Sequence, residues 1–107
     1  MPVHGNLAKP VRIRSKALTD SAKGQKCTLR WRCNSLNWET VVFCHARAIG
    51  DGVATKPPDF WGYYGCHYCH IAEERGLVPS VDIMRAIRET QTIMARDGLI
   101  SIKGWKP

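Results

Sequence analysis

Ile83, Met84, Ile87, Gln91 and Met94 follow i, i+3, i+4 spacing, while Arg85, Arg88, Glu89 and Arg96 fall mostly off that line. This pattern predicts a core-packing helix with Ser80 as its N-cap, ending at Asp97 and Gly98. A shorter helix is predicted over 66–75, closed by Gly76 and kept apart from the next by Pro79. Upstream, Thr40, Val41, Val42 and Phe43 predict a strand within 39–49 that ends near Cys44 and His45, before Gly50, Asp51 and Gly52 break it. Pro57, Pro58, Gly62 and Gly65 make 51–65 mostly loop, with a short strand around 60–64 and another at 99–102. Residues 15–23 suit a short helix with Gly24 as its left-handed closing residue. Residues 1–14 lack a lasting period and read as a flexible basic arm, leaving 15–107 as one domain without internal repeats.

A chain of 107 residues builds one modest core, so an additional staple has much to contribute. Four Trp, three Tyr and two Phe argue against disorder, and 9 Gly with 6 Pro favour a loop-rich fold over a helical bundle. The four Trp (Trp31, Trp38, Trp61 and Trp105) are expected in the core rather than stacked on unpaired bases. Net charge is +7, and it is unevenly placed: residues 1–32 carry eight Lys or Arg against the single acid Asp20, whereas 33–107 carry eight against eight. A cationic arm of this kind attracts polyphosphate through counterion release, which makes nucleic acid the natural partner, although such tails also serve solubility. No apolar run reaches the ~20 residues of a membrane span, and the start of the chain lacks a secretion-type apolar stretch. The expectation is a cytoplasmic protein with no membrane partner.

In that compartment thiols stay reduced, and five cysteines is an odd number, so metal binding is favoured over a disulfide framework. Cys66 and Cys69 stand in C-x2-C spacing at a helix start, and Cys27 with Cys33 forms a looser pair. Two thiolate pairs suit a closed tetrahedral structural zinc site. Ordinary buried thiols are the plainer alternative. Cys44 is left over, as either a packed thiol or an additional ligand of a second site. His45 ends the predicted strand and His70 follows the second pair. Cys66, Cys69 and His70 stand at i, i+3, i+4 and share a helix face, with Glu73 and Glu74 one turn later and His67 pointing elsewhere.

A strand ending in histidine, a long loop, then C-x2-C-H opening a helix resembles the layout of zinc-containing HNH nucleases. The chain reads Val41-Val42-Phe43-Cys44-His45 and then Cys66-His67-Tyr68-Cys69-His70. More closely, Gly24-Gln25-Lys26-Cys27, Asn37-Trp38-Glu39-Thr40-Val41, Lys56-Pro57-Pro58-Asp59 and Gly65-Cys66-His67-Tyr68-Cys69-His70 resemble the YbcO-like family of phage and prophage proteins over about 18–104. The resemblance implies an α+β fold: a small zinc-stapled ββα-metal (HNH-like) domain with additional N-terminal and C-terminal helices. It implies a catalytic set of His45 as general base, Asp59 at the middle, positioning place, and His70 as ligand of a catalytic divalent metal (Mg2+, Mn2+ or Zn2+). Cys44 stands where the wider HNH pattern has an Asp ligand, and Asp59 where it has Asn.

Such residues suit phosphodiester hydrolysis, in which an imidazole takes a proton from water and a cation offsets charge on the phosphate. The expected function is a metal-dependent endonuclease on DNA in a phage or prophage setting. It would hold the backbone through phosphate contacts with little sequence choice, as a monomer or a homodimer. The alternative is a non-catalytic zinc-stabilised module that binds DNA or assists recombination or replication. Convergence of His45, Asp59 and His70 on one open polar cleft separates the two. A thiol redox role for Cys66 and Cys69 ranks below both, because the surrounding βαβ pattern is missing.

Overall fold

The computed structural model describes residues 13–33, 35–46 and 57–107, with side chains at 35–37 left aside. The predicted arm therefore lies outside the described residues except for Ile13 and Arg14, as do His4 and the breaker at Gly50, Asp51 and Gly52. The elements run α1 (Lys16–Asp20), a 3-10 helix (Ser35–Thr40), β1 (Val42–His45), β2 (Gly62–Gly65), α2 (His67–Glu74) and α3 (Ser80–Arg96). The described chain is thus a small α+β domain with a two-stranded sheet and three α-helices.

Local chemistry explains most boundaries. The Ser15 hydroxyl accepts from the Leu18 N–H and starts α1, which gives way after Asp20 to a turn that reaches Gly24 at φ 79°. The helix is shorter than the 15–23 expected, because the Ser21 hydroxyl bonds the Leu18 carbonyl at 2.6 Å and reaches Tyr64 Oη at 2.7 Å instead of facing solvent. Glu39 and Thr40 belong to the 3-10 helix, so the first strand starts three residues later than the pattern suggested. Pro79, not Ser80, caps α3; Ser80 is its first helical residue. No strand forms at 99–102, since the Leu99 and Ile100 N–H groups turn back onto the Met94 carbonyl and close α3.

β1 and β2 pair antiparallel, with Cys44 opposite Tyr63 and His45 opposite Gly62. Gly62 is required there: a Cβ would run into the Cys44 carbonyl oxygen and come within 2.6 Å of the Phe43 ring. Both faces of β2 are covered, and Tyr63 and Tyr64 are each fully buried. Alternation sends them to opposite sides. Tyr64 engages Ser21, Thr28 and Thr90, whereas the Tyr63 hydroxyl donates to Glu73 Oε1 on α2 at 3.0 Å.

The buried line of α3 is Ile83, Ala86, Ile87, Thr90, Met94 and Ala95. It is rotated from the expected stripe: Met84 is exposed and Gln91 bonds the Phe60 carbonyl at 2.9 Å. Small residues at 86, 90 and 95 let the helix sit close to β2. Thr90 is satisfied by Thr28 Oγ1 at 2.8 Å and the Tyr64 N–H at 3.3 Å. Thr90→Val would remove one bond from the Thr28 hydroxyl, which keeps its bonds to the Tyr64 carbonyl and N–H, and is expected to cost about 0.5–1.5 kcal/mol, read as a lower urea midpoint with unchanged slope. Of the four Trp, Trp31 and Trp61 pack against the core. Trp38 and Trp105 are exposed, contrary to the core expectation.

Candidate functional site

Two sites emerge, one built on sulfur and one on imidazole and carboxylate. Sγ atoms of Cys27, Cys33, Cys66 and Cys69 all lie within 4.8 Å of one another, and among the described residues this is the one group able to hold a metal ion with three or more donors. Tetrahedral zinc with ~2.3 Å bonds needs sulfurs ~3.8 Å apart, so a small contraction suffices. The loose spacing of the first pair is drawn in by the backbone: Arg30 at φ 47° and Arg32 at φ 59° turn the loop back on itself, conformations that side-chain-bearing residues adopt at some cost. In return Arg30 N–H and Cys66 N–H point at Cys27 Sγ, both at 3.4 Å, and Trp31 N–H points at Cys69 Sγ at 3.4 Å.

These N–H donors favour thiolate, the form a metal needs. Burial pushes the Cys27 thiol up, but the N–H groups of Cys66 and Arg30 and the neighbouring thiols outweigh it, so it lies below the ordinary thiol value. Burial pushes Cys33 up to about 11 and Cys69 up as well. A cation at the centre would reverse both shifts.

An ionic brace holds this loop to α3. Arg85 donates to the Thr28 and Leu29 carbonyls at 2.8 and 2.7 Å, and Arg30 forms a two-pronged pair with Glu89 at 2.7 and 2.9 Å. Hydrogen bonding from Arg30, with help from Arg85, holds the Glu89 carboxyl down at about 2 against an ordinary 4.5. Because the folded value is depressed, the stabilisation is fully present above about 4.5 and is lost as pH falls toward about 2. Glu89→Gln is therefore expected to lower stability near neutrality, measured by thermal melts of the metal-loaded protein at neutral pH.

The second site is a cleft of about 630 Å³ lined by Phe43, Cys44, His45, His70, Glu73, Glu74 and Gly76. β1 delivers His45 and α2 delivers His70, Glu73 and Glu74. His45 Nε2 lies 2.8 Å from Asp59 Oδ1, and the imidazole packs edge-on against Phe43 with centroids 5.1 Å apart. Asp59 is 5 % exposed and is not part of the cleft wall. Its Oδ2 accepts the Ser15 N–H at 2.7 Å, its own N–H donates to the Ile13 carbonyl at 3.0 Å, and Arg14 stands 3.8 Å from Oδ1. Burial raises the Asp59 carboxyl, yet His45, the Ser15 N–H and Arg14 together bring it below its ordinary value. An ionised carboxylate only accepts, so Nε2 carries the hydrogen that faces Asp59.

His70 Nε2 lies 3.5 Å from Glu74 Oε2, and Glu73 is steadied by the buried Tyr63. His67 is exposed and lines a different hollow with Tyr68. Cys44 contributes to the cleft wall, but its thiol is buried against Gly65 and pushed up to about 12 by that burial. Among the described residues it joins no metal-capable group. The structure therefore brings His45 and His70 to one cleft, with Asp59 behind His45 and Cys44 turned into the core. Tyr63 escaped notice in the sequence because a strand tyrosine carries no sign of which distant carboxylate it will meet, and the Ser15 donor to Asp59 lies 44 positions away.

Together these features define a small α+β domain with a four-cysteine metal-capable cluster and a histidine-lined cleft. Residues 16–101 match the family model described as "Putative nuclease YbcO", and the chain belongs to that family. It is also similar to a solved structure described as "a putative bacteriophage protein from Escherichia coli str. K-12 substr. MG1655". The identity is 28%, the match covers 75% of this chain and 98% of that one, and the TM-score is 0.60. No curated protein matches. No helix among the described residues is long and apolar enough to cross a membrane.

Proposed function

We propose that the protein is a metal-dependent endonuclease of the HNH type that hydrolyses DNA phosphodiester bonds with little sequence specificity, in a phage or prophage context. The observation that carries this reading is the His45–Asp59 pair at the edge of the cleft that also holds His70, in a chain of a family described as nuclease. The β1–β2–α2 order is compatible with a ββα-metal unit flanked by α1 and α3. In this reading the four cysteines hold a structural Zn2+, which fixes the 27–33 loop against the start of α2.

His45 Nδ1 accepts a proton from water while the oxygen of that water bonds to phosphorus and the P–O bond to the leaving sugar oxygen breaks. Asp59 holds the ring by its Nε2–H and stabilises the imidazolium that results. His70 is the residue that would bind a catalytic divalent cation, with Glu74, 3.5 Å from its Nε2, as an outer-shell carboxylate. When bound, that ion offsets charge on the phosphate and on the leaving oxygen. The cations of 1–32 hold the DNA backbone, whose phosphate contacts give affinity without base choice.

The test is supercoiled-plasmid nicking at low salt by zinc-loaded protein, with Mg2+, Mn2+ or further Zn2+ added in turn. Nicked circles that appear only with an added cation are the expected result. DNA binding without nicking under every metal would replace this reading with the non-catalytic accessory module.

A further inference from the structure

Two hollows among the described residues carry linings of opposite charge. Among the described residues, the cleft of His45 and His70 is lined by two carboxylates, Glu73 and Glu74, and by neither Lys nor Arg. A second hollow of about 410 Å³ lies between the 24–30 segment and the 89, 93 and 96 face of α3, and is lined by Lys26, Arg30 and Arg96 against the single acid Glu89. Among the described residues, cations are thus absent from the lining of the first hollow and predominate in that of the second.

We infer that this groove is a second DNA site, which seats a backbone phosphate of the duplex away from the bond being cut. The inference rests on the DNA-directed reading above and adds to it the place where the backbone is held. Three observations carry it. Glu89 is already committed, bonded by Arg30 at 2.7 and 2.9 Å and by Arg85 at 3.1 Å, so it offers little to offset the remaining cations. Lys26 has no carboxylate partner among the described residues, and Arg96 pairs only with the exposed Asp97 beside it. The walls are also preorganised: Arg85 ties the loop carbonyls of Thr28 and Leu29 to α3, and Ile93 supplies an apolar floor. A phosphate entering this groove meets fixed positive charge and requires little rearrangement. The competing role for these cations is to balance the double negative charge that four thiolates leave on a zinc ion.

The test compares two double variants of equal charge loss, Lys26→Gln/Arg96→Gln in the groove and Lys103→Gln/Lys106→Gln outside it. Binding of zinc-loaded full-length protein to a labelled DNA duplex, without added Mg2+ or Mn2+, is read by fluorescence anisotropy over a salt series. The groove variant is expected to lower the slope of log affinity against log salt by about 1 for each side chain removed, alike for unrelated sequences, with the control variant close to wild type. Equal behaviour of the two variants would overturn the groove while leaving the nuclease reading intact. Absence of DNA binding by the wild type would overturn that reading and the groove with it. Zinc content equal to wild type in both variants shows that the cluster itself is unchanged.

Discussion

Cys66→Ser is expected to yield a protein that no longer retains zinc and lacks a cooperative thermal transition. Cys66 is wholly buried at the start of α2, and its N–H also points at Cys27 Sγ, so the residue joins the loop, the cluster and the helix. Structural zinc contributes ~10 kcal/mol or more of apparent folding free energy, comparable with the whole stability of a domain this size. A serine hydroxyl is a poor substitute for thiolate at such an ion, and the three remaining sulfurs, of buried Cys69 and half-buried Cys27 and Cys33, are then held close together without a cation. The contrasting variant is Cys44→Ala. It removes an equally buried thiol that lies outside the cluster, so zinc content is expected to stay at the wild-type level. Metal analysis together with melting curves separates the two, and loss of zinc from both would place Cys44 among the ligands.

His45→Ala is the second large effect, and it falls on chemistry rather than folding. Proton transfer by a positioned side chain contributes about 10²–10⁴-fold, so nicking is expected to drop by about that factor. The side chain of His45 is 15% exposed, and Asp59 keeps the Ser15 N–H and Arg14 as partners when it is removed, so the cost should be about 1–3 kcal/mol, with the domain still folded and zinc retained. Asp59→Asn is expected to fall between wild type and His45→Ala. An amide can also donate to Nε2 and stabilise the wrong tautomer, and it leaves the Ser15 N–H with a weaker acceptor. Comparable destabilisation by His45→Ala and Cys66→Ser would remove the distinction between the catalytic and structural sites.

Much of this arrangement is legible in the residues. Gly24, Gly76 and Gly98 end helical segments at φ 79°, 72° and 76°, and Pro79 separates α2 from α3, because these residue types answer local steric demands. The cysteine cluster is legible because C-x2-C spacing at a helix start already aims two sulfurs at one point. What the sequence does not carry is tertiary. Nothing local marks Arg30 and Arg32 as left-handed, yet their turns bring Cys27 and Cys33 to the other pair. Met84 reads as core by its chemistry and Thr90 as surface, but β2 approaches α3 on the small-residue side, which buries Thr90 and exposes Met84. Trp38 and Trp105 likewise look like core and lie outside it. Asp59 was recognisable as a partner for an imidazole; that it also receives the first N–H of the 15–20 segment is a contact between distant parts of the chain.

That contact ties Ile13, Arg14 and Ser15 to 57–59, so the point where the basic N-terminal segment joins the domain sits directly behind the proposed base. In the proposed reading, the cleft serves catalysis, the cysteine cluster folding and the basic groove backbone binding.

The central claim, that His45 acts as base for DNA cleavage, is tested most directly by single-turnover nicking of supercoiled plasmid by wild-type and His45→Ala proteins of matched zinc content, with the same divalent cation. The account predicts cation-dependent nicking by the wild type and a loss of about 10²–10⁴-fold in the variant with DNA affinity unchanged. Equal rates for the two proteins would contradict it.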